Sequence, residues 1–163
     1  TDYAASAVCG ECVEITGPNG DVSVRIVDQC PECAPGDIDL SAEAFAKIAD
    51  PSAGRVSISW KVVSCGVPGP IQYRFKDGAN AYWTALQIRN SNNAILSVEA
   101  MKNGAYETLT RTDYDYFLDD SGLGPGPFSF RVTDVYGNVL EDPAIPLGDA
   151  QTSDGAAQFP PCP

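Results

Sequence analysis

The chain of 163 residues contains no histidine at all. Without imidazole there is no Ser-His-Asp or Cys-His triad, no HExxH zinc site and no histidine proton shuttle. Acid–base chemistry near neutral pH must then fall to carboxylates, Tyr, Lys or Cys. Basic residues are also scarce, 10 against 22 acidic ones, and the net charge of −12 argues against nucleic acid, whose phosphates would be repelled. It equally disfavours anionic membranes and polyanionic polymers. No apolar run approaches the roughly 20 residues of a membrane span. The chain opens at Thr1 with neither initiator Met nor signal sequence, which suggests a processed or trimmed product.

What is present is a globular composition, 44% hydrophobic and 20% charged. Six Cys with a single Met, 15 Gly and 13 Pro lean towards an exported, disulfide-stapled protein. Apolar and polar residues alternate over Cys12–Thr16 and Val22–Val27 around the turn Gly17-Pro18-Asn19-Gly20, which predicts a hairpin. Ser41 reads as the N-cap before apolar residues at helical spacing from Ala42 to Ala49, and Pro51 and Gly54 stop that helix. Val56–Val63 alternates again and reads as a half-buried strand. Gly66-Val67-Pro68-Gly69-Pro70 then reads as a short stiff linker.

Beyond it the pattern is all strand, over 71–76, 82–90, 94–101, 105–110, 127–134 and 138–141, and predicts a β-sandwich. Two domains follow, 1–65 and 71–163, joined by 66–70. Four basic and ten acidic residues precede the linker and six and twelve follow it, so each half carries −6 and charge assigns neither a role. Sixty-five residues are thin for a closed core, so the first domain needs disulfide staples or further strands.

Three constellations could carry chemistry. Cys9, Cys12, Cys30 and Cys33 form two C-x-x-C pairs 17 residues apart, which suits a four-thiolate zinc ribbon acting as an interaction module. The alternating hairpin between the pairs suits a disulfide-bonded sheet as well, and local spacing leaves both open. No βαβ pattern surrounds either pair, which argues against a thioredoxin-like role. Asp28 ends an apolar strand and Asp39 lies between Ile38 and Leu40 at a helix entry. Such carboxylates are expected to be part-buried, and could serve glycosidic cleavage; the more ordinary role for Asp39 is capping the helix. Tyr82 and Trp83 are adjacent, so in a strand they would face opposite sides. Exposed aromatic rings grip the apolar faces of sugars, but Phe75, Phe128 and Phe130 alternate with polar residues and are expected in the core.

The chain resembles the expansins, and most closely their bacterial members. The residues that carry the likeness are Cys9-Gly10-Glu11-Cys12, Val27-Asp28-Gln29-Cys30-Pro31-Glu32-Cys33, Gly36-Asp37-Ile38-Asp39-Leu40-Ser41 and Ser59-Trp60-Lys61-Val62-Val63. After the linker come Tyr73-Arg74-Phe75-Lys76-Asp77-Gly78, the run from Tyr82 through Asn90, Thr112-Asp113-Tyr114 and Phe130-Arg131-Val132-Thr133-Asp134. The first-half motifs are shared with other double-psi barrels such as family 45 glycoside hydrolases and rare lipoprotein A; the combination is specific.

The resemblance implies a mainly β fold: a six-stranded double-psi β-barrel, its N-terminal part incomplete here, followed by an immunoglobulin-like β-sandwich that is a family 63 carbohydrate-binding module. It implies a secreted, extracellular protein that loosens plant cell walls by disrupting non-covalent polysaccharide contacts without hydrolysis. Asp39 matches the aspartate that resembles the general acid of family 45 hydrolases, and Asp28 a groove aspartate. Tyr82, Trp83 and Tyr114 match an aromatic platform, with Lys76 the basic residue beside it. For Tyr82 and Trp83 to share a face, the strand must twist or bulge.

By analogy with plant members Cys12 pairs with Cys65. Elimination then leaves Cys30–Cys33 and Cys9–Cys162, unless Cys9 pairs with a cysteine upstream of Thr1. Cys30 stands where bacterial members often carry a groove aromatic, and the family's opening strand is missing before Thr1. No cofactor or metal is implied. The expected partners are cellulose and related wall glucans, with peptidoglycan a further candidate, and no nucleic acid or membrane; a monomer is expected. The rival enzymatic reading is an endoglucanase or lytic transglycosylase on the same barrel, with Asp39 as general acid.

Overall fold

The computed structural model describes residues 3–162. Strand β1 (Cys12–Gly17) turns at Pro18-Asn19 into β2 (Gly20–Arg25), with Gly17 opposite Gly20 in register. The hairpin is the expected one, and the inward residues Val13, Ile15 and Val22 are buried. Helix α1 (Ala42–Ile48) packs across it. A Cβ on Gly17 would stand 2.8 Å from the Ile48 Cβ, so this position has to be glycine for the helix to approach so closely.

The helix starts at Ser41, whose hydroxyl accepts from the Ala44 N–H at 3.3 Å, so the capping role considered for Asp39 falls to Ser41. It ends one residue earlier than expected, with Ala49 as C-cap. Strand β3 (Ser59–Val63) pairs antiparallel with β1 to give the order β2-β1-β3. Among the described residues these three strands are fewer than the six of the barrel that the resemblance implied, whose N-terminal part was expected to be incomplete here. On β3 the half-burial also fails, because Trp60 and Val62 are each 39% exposed while Ile58 and Val56, just before the strand, pack on the core.

That core is small: Val13, Ile15, Val22, Ile48 and Ala49 are its buried members. A disulfide between Cys12 and Cys65 supplements it. Closing a loop across a separation of 53 residues stabilises by roughly 4 kcal/mol in the chain-entropy account.

The remaining strands form two antiparallel sheets. β4 (Gln72–Phe75), β5 (Thr84–Arg89), β8 (Thr110–Arg111), β9 (Phe117–Asp119) and β12 (Thr152–Asp154) assemble in the order β12-β4-β5-β9-β8. β6 (Ile95–Lys102), β7 (Ala105–Thr108), β10 (Phe128–Asp134) and β11 (Val139–Ile145) assemble as β11-β10-β6-β7. One apolar core lies between them. Tyr73 stacks on Phe130 with centroids 5.3 Å apart, and Phe75, Phe128 and Phe130 are buried as their alternation predicts.

The run expected as one strand over 105–110 is two, because the chain passes from one sheet to the other at buried Leu109. Strand β11 outlasts its expected end and carries Pro143, which an edge strand tolerates. Strands β9 and β12, three residues each, are not among the expected strands.

Candidate functional site

The functional residues expected from the sequence fall on two regions of the surface. Asp28 follows β2 in an exposed loop, and its Oδ1 accepts from the Gln29 N–H at 2.8 Å. Asp39 precedes α1, also exposed, and among the described residues its carboxylate has no hydrogen-bond or ion-pair partner. The part-burial expected of both is therefore corrected: each loop lies on the outside of a small core that cannot cover it. Asp28 lines a cleft of 540 Å³ that Asp39 does not line.

Cys30 and Cys33 are joined in the loop between them, and Cys12 is joined to Cys65. The Cys12–Cys65 bridge matches the pairing expected by analogy with plant members, and Cys30–Cys33 the pairing left by elimination. The four-thiolate zinc ribbon is overturned, because three of its proposed ligands are consumed by disulfides. The Cys9–Cys162 bridge is overturned too: both thiols are free. Cys9 is buried against the Tyr3 hydroxyl, 3.1 Å away, and burial pushes its thiol above the usual range. Cys162 is placed elsewhere, its N–H donating to the Ser64 hydroxyl.

On the second region the strand begins at Thr84, so the alternation expected of Tyr82 and Trp83 does not apply. Asn80 and Trp83 form an isolated bridge, and Ala81 and Tyr82 make the turn between them. The Asn80 side chain accepts from the Tyr82 N–H at 2.9 Å, and the Gly124 N–H donates to the Ala81 carbonyl at 3.0 Å. The turn is fixed, while the Tyr82 ring is 84% exposed and Trp83 is half-buried. Such a ring at a rigid turn is a contact surface that loses little entropy when a ligand covers it.

Tyr114 belongs to the β8–β9 turn, which the Thr112 hydroxyl closes by donating to the Tyr116 carbonyl and accepting from the Tyr116 N–H, both at 3.0 Å. The Lys76 ammonium lies 5.6 Å from the Tyr114 ring centroid and 4.9 Å from that of Tyr116. This is cation–π distance. The structure thus joins Lys76 to Tyr114, as expected, and adds Tyr116, whose ring centroid is 5.8 Å from that of Tyr114.

The two regions meet at a cleft of 540 Å³, lined from one side by Arg25 and Asp28 and from the other by Gln87, Arg89, Tyr114 and Asp115. Its floor is a run of hydrogen bonds. Arg111 Nη1 lies 3.4 Å from Asp115 Oδ1, Gln87 Nε2 donates to Asp115 Oδ2 at 2.9 Å, and Arg89 Nε donates to Gln87 Oε1 at 2.7 Å. Burial holds the Asp115 carboxyl above the usual carboxylate range, and Gln87 and the Arg111 and Arg89 guanidiniums only partly offset it. Burial also lowers Arg111.

Ser6, fully buried, clasps the same turn by donating to the Thr112 carbonyl at 2.7 Å. Gln87, Arg89 and Asp115 escaped the sequence reading. The signal for the first two was there: they are the polar, alternate positions of an otherwise apolar strand. Asp115 is brought to them by pairing of β5 with β9, which no local pattern reveals.

Residues 2–60 match a family model described as lytic transglycolase. Over 160 residues the chain is 36% identical to Expansin-YoaJ of Bacillus subtilis, covering 95% of this chain and 68% of that protein. It is 33% identical to Expansin-like protein 1 of Dictyostelium discoideum over 141 residues, 81% of this chain and 49% of that protein. The chain thus spans about two thirds of the length of the first of these relatives and half of the second. Among solved structures, the apo expansin of Clavibacter michiganensis superposes with a TM-score of 0.92 at 35% identity, covering 98% of this chain and 79% of that one. A mutant of that protein, with an aspartate changed to asparagine and in complex with cellohexaose, superposes equally well at 34% identity.

Proposed function

Because the chain belongs to the bacterial expansin family, we propose that it is a secreted wall-loosening protein that binds cellulose and related glucans and disrupts their non-covalent contacts without hydrolysing them. In this reading residues 1–65 form the barrel domain, 66–70 the linker and 71–163 an immunoglobulin-like carbohydrate-binding module. The two disulfides support an oxidising, extracellular home. The observation that carries glucan binding is the Tyr82–Trp83 turn: a large ring held out to water by a hydrogen-bonded backbone, on the same molecule as the Lys76, Tyr114 and Tyr116 cluster. Tyr82, Trp83 and Tyr114 stack on sugar faces, Lys76 stands beside them, and Asp28 and Asp39 hydrogen-bond hydroxyls of a glucan chain.

The placement of the two aspartates supports a reading without cleavage. Retaining and inverting glycosidases need two carboxyl groups facing one bond, roughly 5–9.5 Å apart, one of them kept as a proton donor. Asp39 stands open to water and outside the cleft that Asp28 lines.

Trp83→Ala should weaken cellulose pull-down by about tenfold or more, the loss of one central aromatic contact of ~2 kcal/mol. Asp39→Asn should abolish extension of wall strips while leaving pull-down intact. Unchanged extension in Asp39→Asn would remove that aspartate from the mechanism. The match to the lytic transglycolase model supports a second reading, polysaccharide cleavage with Asp39 as acid. Reducing ends or anhydro-sugars released from glucan or peptidoglycan would favour it in the same assay.

A further inference from the structure

Tyr116 shares a turn with Tyr114 but has no sugar contact assigned to it above. The backbone of that turn is already fixed. The Thr112 hydroxyl bonds both the N–H and the carbonyl of Tyr116. Asp115, at φ 62°, is held through its carboxylate by Gln87 at 2.9 Å and Arg111 at 3.4 Å. Backbone bonds do not set a side-chain torsion, however. The Tyr114 ring is 50% exposed, and a ring so open samples its rotamers unless neighbours hold it.

Tyr116 and Lys76 are those neighbours. The Tyr116 ring is half-buried, its centroid 5.8 Å from that of Tyr114 and the two planes tilted by 44°. The Lys76 ammonium completes the group, 4.9 Å from the Tyr116 centroid and 5.6 Å from the Tyr114 centroid. It sits closer to the more covered ring. Lys76 reaches this place from a different strand: its N–H donates to the Ala85 carbonyl at 2.9 Å, which fixes its backbone just past β4. Although the chain has 22 acidic residues, among the described residues no carboxylate pairs with this ammonium. The adjacent Asp77 faces Arg74 at 4.0 Å instead. The Tyr116 hydroxyl likewise has no hydrogen-bond partner among the described residues. Ring faces are therefore what hold the cation.

We propose that Tyr116 is a positioning residue for glucan binding: its ring anchors the Lys76 ammonium, and the two together hold the Tyr114 ring in the orientation that stacks on sugar. Lys76 then acts through Tyr114 and not by touching the glucan. The inference rests on the glucan-binding reading and concerns how one of its rings is aimed. Its advantage is entropic, because a ring already ordered loses less freedom when a sugar face covers it.

Cellulose binding isotherms of single and double variants test this, beside NMR of the Lys76 side chain. Lys76→Met keeps the length of the side chain but removes the cation, and Tyr116→Leu removes the anchoring ring. Each should weaken binding about two- to fivefold. Tyr116→Phe keeps the ring and should recover most of that loss. In Tyr114→Ala, adding Lys76→Met should cost nothing further, since its effect passes through the missing ring. The ε-methylene protons of Lys76, beside two ring faces, should resonate upfield in the wild type and return towards ordinary values in Tyr116→Leu.

A further loss from Lys76→Met in the Tyr114→Ala protein would overturn the inference by putting the ammonium on the glucan itself. Wild-type binding by Tyr116→Leu, binding by Tyr116→Phe as weak as that of Tyr116→Leu, or an unshifted Lys76 signal would overturn it too. In each of these cases cellulose binding by the wild type would keep the glucan reading alive. A wild type that bound no cellulose would remove both together.

Discussion

Tyr82 owes its place to a residue that no reading of its own neighbourhood would identify. A Cβ on Gly122 would stand 2.3 Å from the Ala81 carbonyl oxygen and 2.5 Å from the Tyr82 Cα, and Gly122 has φ +78°, a conformation that L side chains rarely adopt. The turn that presents the aromatic ring therefore rests on backbone, and backbone cannot yield as a side-chain tip would. Gly122→Ala should shift the turn and reduce cellulose pull-down about as far as Tyr82→Ala does, with its own stability cost of about 1 kcal/mol or more from the positive φ. Pull-down that matched the wild type would show that the turn is not the binding element. At this scale residue type offered the two aspartates and the Tyr82–Trp83 pair as candidates, and the resemblance singled out Tyr114 and Lys76. The sequence offered both Ser41 and Asp39 as the helix cap without deciding between them, and could not show that Cys9 and Cys162 stay apart. Those outcomes depend on geometry that spacing does not fix.

Strands were legible where one face is buried, because burial imposes the period of two. The hairpin β1–β2 and strands β4, β6 and β10 lie where alternation puts them. The misses share one cause: β9 and β12 have three residues each, and their apolar faces are too short to show a period. Long-range pairing also decides what holds the sheets together. Tyr73 on β4 donates to Asp142 Oδ2 on β11 at 2.9 Å, across the core and between sheets, while Asp142 Oδ1 accepts from the Ala156 N–H at 2.7 Å. Asp142 is 3% exposed, so no water replaces a lost donor readily. Tyr73→Phe keeps the ring stacked on Phe130 but strands one carboxylate oxygen, and should destabilise by about 1–3 kcal/mol in urea unfolding. A variant as stable as the wild type would mean that the hydroxyl contributes nothing to sheet pairing.

For the molecule as a whole, net charge does not single out the half in which binding is proposed. Each half carries the same −6, and the proposed glucan contacts draw on Asp28 and Asp39 in one and on Tyr82, Trp83 and Tyr114 in the other. What makes contacts from both halves feasible is the junction. The stretch 66–70 reads as a short stiff linker, but its stiffness comes from a buried clamp rather than from its prolines alone. The Cys65 N–H donates to the Asn92 carbonyl at 2.9 Å, and the Val67 N–H to Asn92 Oδ1 at 3.0 Å. Asn93, 3% exposed, accepts from the Ser64 hydroxyl at 3.0 Å and donates to Asp134 at 2.8 Å and to the Pro160 carbonyl at 2.9 Å.

One side chain thus ties the end of the first half to a β10 residue and to the C-terminal segment. Asn93→Ala would leave Asp134 its bonds from the Tyr136 and Asn138 N–H groups, so the second half should still fold. The coupling between halves should weaken by about 1–3 kcal/mol, the cost of buried partners left unpaired. Two outcomes are then expected together: unfolding that separates into two calorimetric transitions, and wall extension that falls while cellulose pull-down stays near the wild-type level. A single transition with full extension would mean that the halves act independently of this clamp, and that loosening does not depend on their fixed relation.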